Sequence, residues 1–100
     1  MREQKYYLLA IDKTKSPSNL SIDLVWWGPN NCGYVTNIEN AGIYTRSQID
    51  SHPHYYNNDE VHPVPVEVVE QHQRWKYTVI RSEPDAWKDF SAFEKIANWR

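Results

Sequence analysis

His52, His54 and His62, with Asp59 and Glu60 between them, are the residues of this chain best suited by type to hold a transition metal. Imidazole and carboxylate are ligands that zinc and its neighbours accept, and three such groups plus water would make a catalytic centre. Their intervals match no structural zinc pattern, and His52 and His54 flank Pro53 in an expected loop. Ordinary loop histidines are therefore the reading, and neither metal nor other cofactor is expected. Cys32 is the one thiol; as a nucleophile it would need a histidine base or another device that lowers its pKa. Placed between Asn31 and Gly33 it has no such device in view, and a small semi-buried thiol is expected. The adjacent carboxylates Asp59 and Glu60 lack any sign of the pocket that glycosidase-like acid–base work requires. With no catalytic constellation, the chain reads as a protein that binds without turnover.

Two kinds of binding chemistry remain. Arg74, Trp75, Lys76, Tyr77 and Arg81 interleave cations with aromatics, a pattern compatible with base stacking and phosphate contacts. Strand alternation, however, sends Trp75 and Tyr77 to one face, expected to be core, and leaves Arg74 and Lys76 outside. The net charge is −2, from 11 basic and 13 acidic residues, so no global field favours nucleic acid. The second kind lies between Val25 and Gln48. This stretch holds all three glycines, two of the five tryptophans, Cys32, and four asparagines within eleven positions: Asn30, Asn31, Asn37 and Asn40. Glycine takes positive φ without side-chain cost and asparagine is the next most tolerant residue. Gly28-Pro29-Asn30-Asn31 reads as a turn after a strand carrying Trp26 and Trp27, and Asn40-Ala41-Gly42 as a second turn. Such a stretch is either self-packed around Trp27, Tyr34 and Tyr44 or a fixed surface for a partner.

The register Trp27, Pro29, Asn30, Gly33, Tyr34, Ala41, Gly42, Tyr44 and Thr45 resembles a motif in short, mostly uncharacterised proteins of phages and prophages. In those proteins a short helix and a Val-Pro segment follow, and Pro63-Val64-Pro65-Val66-Glu67 is similar. The likeness covers about 45 residues. It implies an accessory protein of a mobile element and attaches no activity.

One hundred residues suffice for a single domain with one modest core. Aromatics make up 14% of the chain, and Tyr and Trp serve small cores and binding surfaces alike. Charge is uneven. Residues 37–72 set Arg46 against Glu39, Asp50, Asp59, Glu60, Glu67 and Glu70, a balance of −5. One cysteine excludes an intrachain disulfide and fits a reducing cytosol; no signal peptide and no membrane span are expected.

The elements that must position these residues follow from periodicity. Tyr6–Ile11 is apolar at alternate positions of both parities, as in a strand buried mid-sheet. Lys13–Asn19 is a polar connection. Leu20, Ile22, Leu24 and Trp26 alternate with polar residues, predicting a strand antiparallel to the first. Thr45 and Gln48 form a capping-box pattern for a helix over about Arg46–Ser51. His52–Asp59 reads as a loop, and Glu60–Val66 as an extended segment that Pro63 and Pro65 keep from the centre of a sheet. Pro65 can open a helix over Val66–His72. Arg74–Ser82 reads as a strand. Ser82, Pro84 and Asp85 signal a last helix with Ala86, Phe90, Phe93, Ile96 and Ala97 on its core stripe and Trp87 and Trp99 at the flanks.

The expected fold is a small α+β domain: three or four antiparallel strands, covered on one face by the C-terminal helix, with one or two short helices. The expected role is non-catalytic recognition of a host protein, with inhibition of a defence component as the working idea. Trp27, Asn30, Asn31, Tyr34, Asn37, Tyr44, Tyr55, Tyr56, Asp59 and Glu60 form the candidate surface, with Glu67 and Glu70 on the rim. The alternative is a nucleotide or nucleic-acid binding module that stacks on Trp27 and Tyr34 and uses the asparagine amides.

Overall fold

The computed structural model describes residues 3–14, 23–72, 80, 84–92 and 94–95. The sheet is built on β1 (Lys5–Ala10), which has partners on both edges. One edge is taken by β5 (Val61–Pro65), in a register from Tyr6↔Pro65 to Ala10↔Val61. The other is shared by β2 (Trp26–Trp27), where Leu9 faces Trp26, and β4 (Tyr44–Thr45), where Tyr6 faces Tyr44. β3 (Tyr34–Val35) pairs with β2 through Trp26↔Val35 and Trp27↔Tyr34. All pairings are antiparallel.

Both faces of this sheet are buried, which explains why β1 is apolar at every position from Tyr6. Tyr6 and Leu8 point into one cluster with Tyr44, Ile49, Tyr56 and Val61. Tyr7, Leu9 and Ile11 point into the other, with Trp26, Val64, Val69, Trp87 and Phe90. Helices α2 (Arg46–Ser51) and α3 (Pro53–Tyr56) supply Ile49 and Tyr56 to the first. Helices α4 (Val66–His72) and α5 (Pro84–Asp89) supply Val69, Ala86 and Trp87 to the second. The α+β class stands, with five strands where three or four were expected and a helical cover on each face. A short α1 (Ile11–Thr14) follows β1, so the connection after it begins as a helical turn.

Local rules place several boundaries. Thr45 accepts from the Gln48 N–H and the Gln48 side chain accepts from the Thr45 N–H, so α2 opens on a full capping box. Pro63 and Pro65 lie two residues apart on β5, which pairs with β1 alone among the described residues. Their missing N–H groups both point away from β1, so neither proline costs the β1–β5 ladder a hydrogen bond. α4 opens directly after Pro65.

Three expectations need correction. His52–Asp59 is not wholly loop: His52 is non-helical (φ −142°), but Pro53 sits at the start of a helical turn through Tyr56. Proline excludes its predecessor from a helix and is itself welcome in the first turn; the second effect decides here. The helix that opens at Pro84 stops at Asp89, and the chain is helical again at Glu94–Lys95. Ser91 has φ +59°, the Ser91 N–H donates to the Lys88 carbonyl and the Ala92 N–H to the Trp87 carbonyl, a left-handed helix cap in which serine takes glycine's usual place. Trp87, expected at a flank, is fully buried against the sheet. The expected strand Arg74–Ser82 falls outside the described residues except for Ile80, whose carbonyl accepts from the Leu24 N–H at 2.6 Å. Trp99, Phe93, Ile96 and Ala97 lie outside them too.

Candidate functional site

The stretch from Trp27 to Tyr44 is held as one rigid piece, and its positive-φ residues show how. Asn30 (φ 57°), Asn31 (φ 59°) and Gly33 (φ 78°) turn the chain between β2 and β3 in the left-handed region. Gly28 is extended (φ −72°) and is glycine for a different reason: a Cβ there would collide with the Cys32 carbonyl oxygen. Gly42 is needed for close approach as well. Its Cβ would fall 2.7 Å from the Gly28 oxygen and 2.8 Å from the Pro29 Cα. Glycine thus serves positive φ at Gly33 and tight chain packing at Gly28 and Gly42.

Tyr44 closes the piece. Its hydroxyl donates to the Gly28 carbonyl at 2.6 Å and accepts from the Asn31 N–H at 2.9 Å. Burial pushes the Tyr44 phenol above its ordinary range, so it keeps the proton it donates. The Tyr56 hydroxyl adds a bond to the Asn31 side-chain oxygen at 3.2 Å, and the Gly42 N–H donates to the Trp27 carbonyl at 2.9 Å. Asn37 accepts from the Glu39 N–H at 2.9 Å and caps a turn of 3-10 helix over Ile38–Asn40.

Around this frame the aromatic rings are shared between core and surface. Tyr55 and Tyr56 approach edge to face at 5.0 Å, and Trp27 stacks edge-on to Tyr55 at 5.5 Å. Tyr44 and Tyr56 are 2% and 7% exposed, whereas Tyr34 and Tyr55 are 51% and 52% exposed. Two of the expected anchors, Tyr44 and Tyr56, are therefore enclosed and act as scaffold. Trp27 is half-buried beneath Tyr55. Asn30 is exposed, and Asn31 is exposed but spends its oxygen on Tyr56. Asn37 is spent on its cap. Asp59 and Glu60 are exposed in the turn that joins α3 to β5.

The sequence reading missed two surface residues. Ile43, 53% exposed, points outward because Tyr44 next to it points in, and the two-residue alternation of β4 could have revealed it. Lys13 places its ammonium 4.9 Å from the Tyr34 ring centroid. That contact joins α1 to β3 and left no signal in either segment. Cys32 is exposed, not semi-buried.

Comparison with protein-family models, curated proteins and solved structures finds no match. The site must be read from its own geometry.

The histidines do not gather. His52 and His54 are exposed, and the His52 Nδ1 lies 3.0 Å from the Ser51 hydroxyl. His62 is half-buried on β5, where burial, then the nearby Lys95 ammonium, hold its pKa down at about 4 against a hydrogen bond with the Phe90 backbone. No group of three or more His, Cys, Asp or Glu side chains placed to hold a metal occurs among the described residues. No helix among them is long and apolar enough to cross a membrane.

Proposed function

We propose that this chain is a small accessory protein of phage type, cytoplasmic, that works by binding a host protein without chemistry, with a component of a defence system as its target. One observation carries the reading. Tyr34 and Tyr55 stay half-exposed on a backbone that Tyr44, Tyr56 and three left-handed residues lock in place. A surface aromatic that is already fixed loses little freedom on binding, which is what makes Tyr a frequent hot spot. Ile43 adds exposed apolar area on the segment leading into β4. The resemblance of the Trp27–Thr45 register to phage proteins supports the biological setting.

Affinity capture from bacterial host lysate tests this, run in parallel with the intact protein and with Tyr34→Ala and Tyr55→Ala variants. The expected result is a specific host protein retained by the intact chain and lost by the variants, each truncation weakening a purified complex by about 2 kcal/mol if it is an anchor. Retention of nothing specific, or equal retention by the variants, defeats the reading. The nucleic-acid alternative predicts steep loss of binding to oligonucleotides with added salt, and no binding at low salt removes it.

A further inference from the structure

Among the described residues, the exposed ring of Tyr34 already holds a cation. Lys13 lies over its ring at 4.9 Å, within the range where a ring face attracts an ammonium. The surroundings are rich in carboxylates. Asp12 lies 4.0 Å from the same ammonium. The backbone N–H groups of Ile11 and Asp12 both donate to the Glu60 carbonyl, so α1 rests on the turn that carries Asp59 and Glu60. That turn is tied in its other direction to α3, where Asn58 donates to the carbonyls of His54 and Tyr55. A second cation among the described residues, Lys95, reaches the Asn57 side chain at 2.6 Å and the Val61 carbonyl at 3.3 Å and also feels the Asp59 carboxylate.

We propose that the Tyr34–Tyr55 face docks a basic segment of a protein partner, whose lysine or arginine side chains lie on the tyrosine rings beside Asp59 and Glu60, and that Lys13 occupies Tyr34 as a placeholder until they arrive. The proposal rests on the binding reading above and adds the partner's chemistry to it. Two features select a cation. The ring faces carry the negative quadrupole, and Asp12, Asp59 and Glu60, on α1 and the turn it rests on, set three carboxylates against Lys13 and Lys95. The arginine of α2, Arg46, is committed to Asp50 at 3.1 Å and to the Tyr6 hydroxyl at 3.0 Å. An acidic partner would meet repulsion here, and a purely apolar one would strip water from the exposed Asp59 and Glu60 carboxylates.

The probes are two synthetic peptides of equal length, one alternating arginine with glycine and one alternating glutamate with glycine. Binding is followed by two-dimensional NMR of the tyrosine and tryptophan rings at physiological salt. The arginine peptide is expected to shift the Tyr34, Tyr55 and Trp27 signals, and the glutamate peptide to shift none. Tyr34→Leu, and separately the pair Asp59→Asn with Glu60→Gln, should each weaken binding by about two- to fivefold, and Lys13→Ala should strengthen it by a similar factor. The gain with Lys13→Ala is the result that a general field of negative charge also gives, so Tyr34→Leu decides between the two: binding unchanged by it overturns the proposal. Equal response to both peptides, or ring signals that do not move, overturns it also. If lysate capture succeeds through Tyr34 and Tyr55 but the captured protein presents an acidic or uncharged surface there, the partner chemistry is wrong and the binding reading survives. If capture does not depend on these tyrosines, both fall.

Discussion

The Tyr44 hydroxyl is a single group that joins the two ends of the β2–β3 loop, bonding the Gly28 carbonyl on one side and the Asn31 N–H on the other. Tyr44→Phe keeps the buried ring and leaves both backbone groups short of a partner. Urea unfolding should report a loss of about 1–3 kcal/mol, and hydrogen exchange at the Asn31 amide should speed up more than exchange in β1. His62 supplies a second residue-scale test. Its folded-state pKa of about 4 lies below the usual histidine value near 6.5, so between these values the unfolded chain binds a proton that the folded chain refuses. Stability from keeping His62 neutral is complete above about pH 6.5, declines as pH falls towards 4, and changes no further below that. A difference measurement isolates it from the carboxylates. The stability gap between the wild type and His62→Gln should shrink by roughly 2 kcal/mol from pH 7 to pH 4.5, and a gap independent of pH would remove His62 as the cause.

At the scale of elements, helix ends carry most of the local information. Thr45 and Gln48 announce α2, and Pro65 announces α4, because caps depend on residues three or four positions apart and therefore survive in the sequence alone. The end of α5 is different. Ser91 sits at φ +59° in a cap that glycine would occupy with less strain. Ser91→Gly is expected to raise stability by about 0.5–1 kcal/mol in thermal or urea unfolding, offset in part by the greater freedom of glycine in the unfolded chain. A neutral or destabilising result would mean that the serine side chain contributes to the cap.

For the molecule as a whole, β1 is the shared wall of two clusters. Leu8 and Leu9 are neighbours in sequence, fully buried, and on opposite faces. Either one replaced by alanine should cost about 2–5 kcal/mol, the range for buried leucines. The surface aromatics should behave otherwise. Tyr34→Ala is expected within about 0.5 kcal/mol of the wild type, and Tyr55→Ala to cost about 1 kcal/mol through its ring contacts with Trp27 and Tyr56. Loss of partner binding in these two variants can then be separated from loss of fold.

Residues 6–11 show how far the sequence alone reaches. Their apolar side chains at both parities required a strand covered on both faces, and that is what β1 is. The capping box, the two proline-limited boundaries and the left-handed asparagines were likewise decided within a few residues of chain. Tertiary structure decided the rest, because each such fact joins segments far apart. Tyr44 and Tyr34 look alike in sequence, yet one is enclosed because β4 lies beside β1 and the other is exposed because β3 lies beyond β2. The division of the aromatics into scaffold and surface, and the seat of Lys13 on Tyr34, depend on which strands become neighbours, and no short-range pattern encodes that.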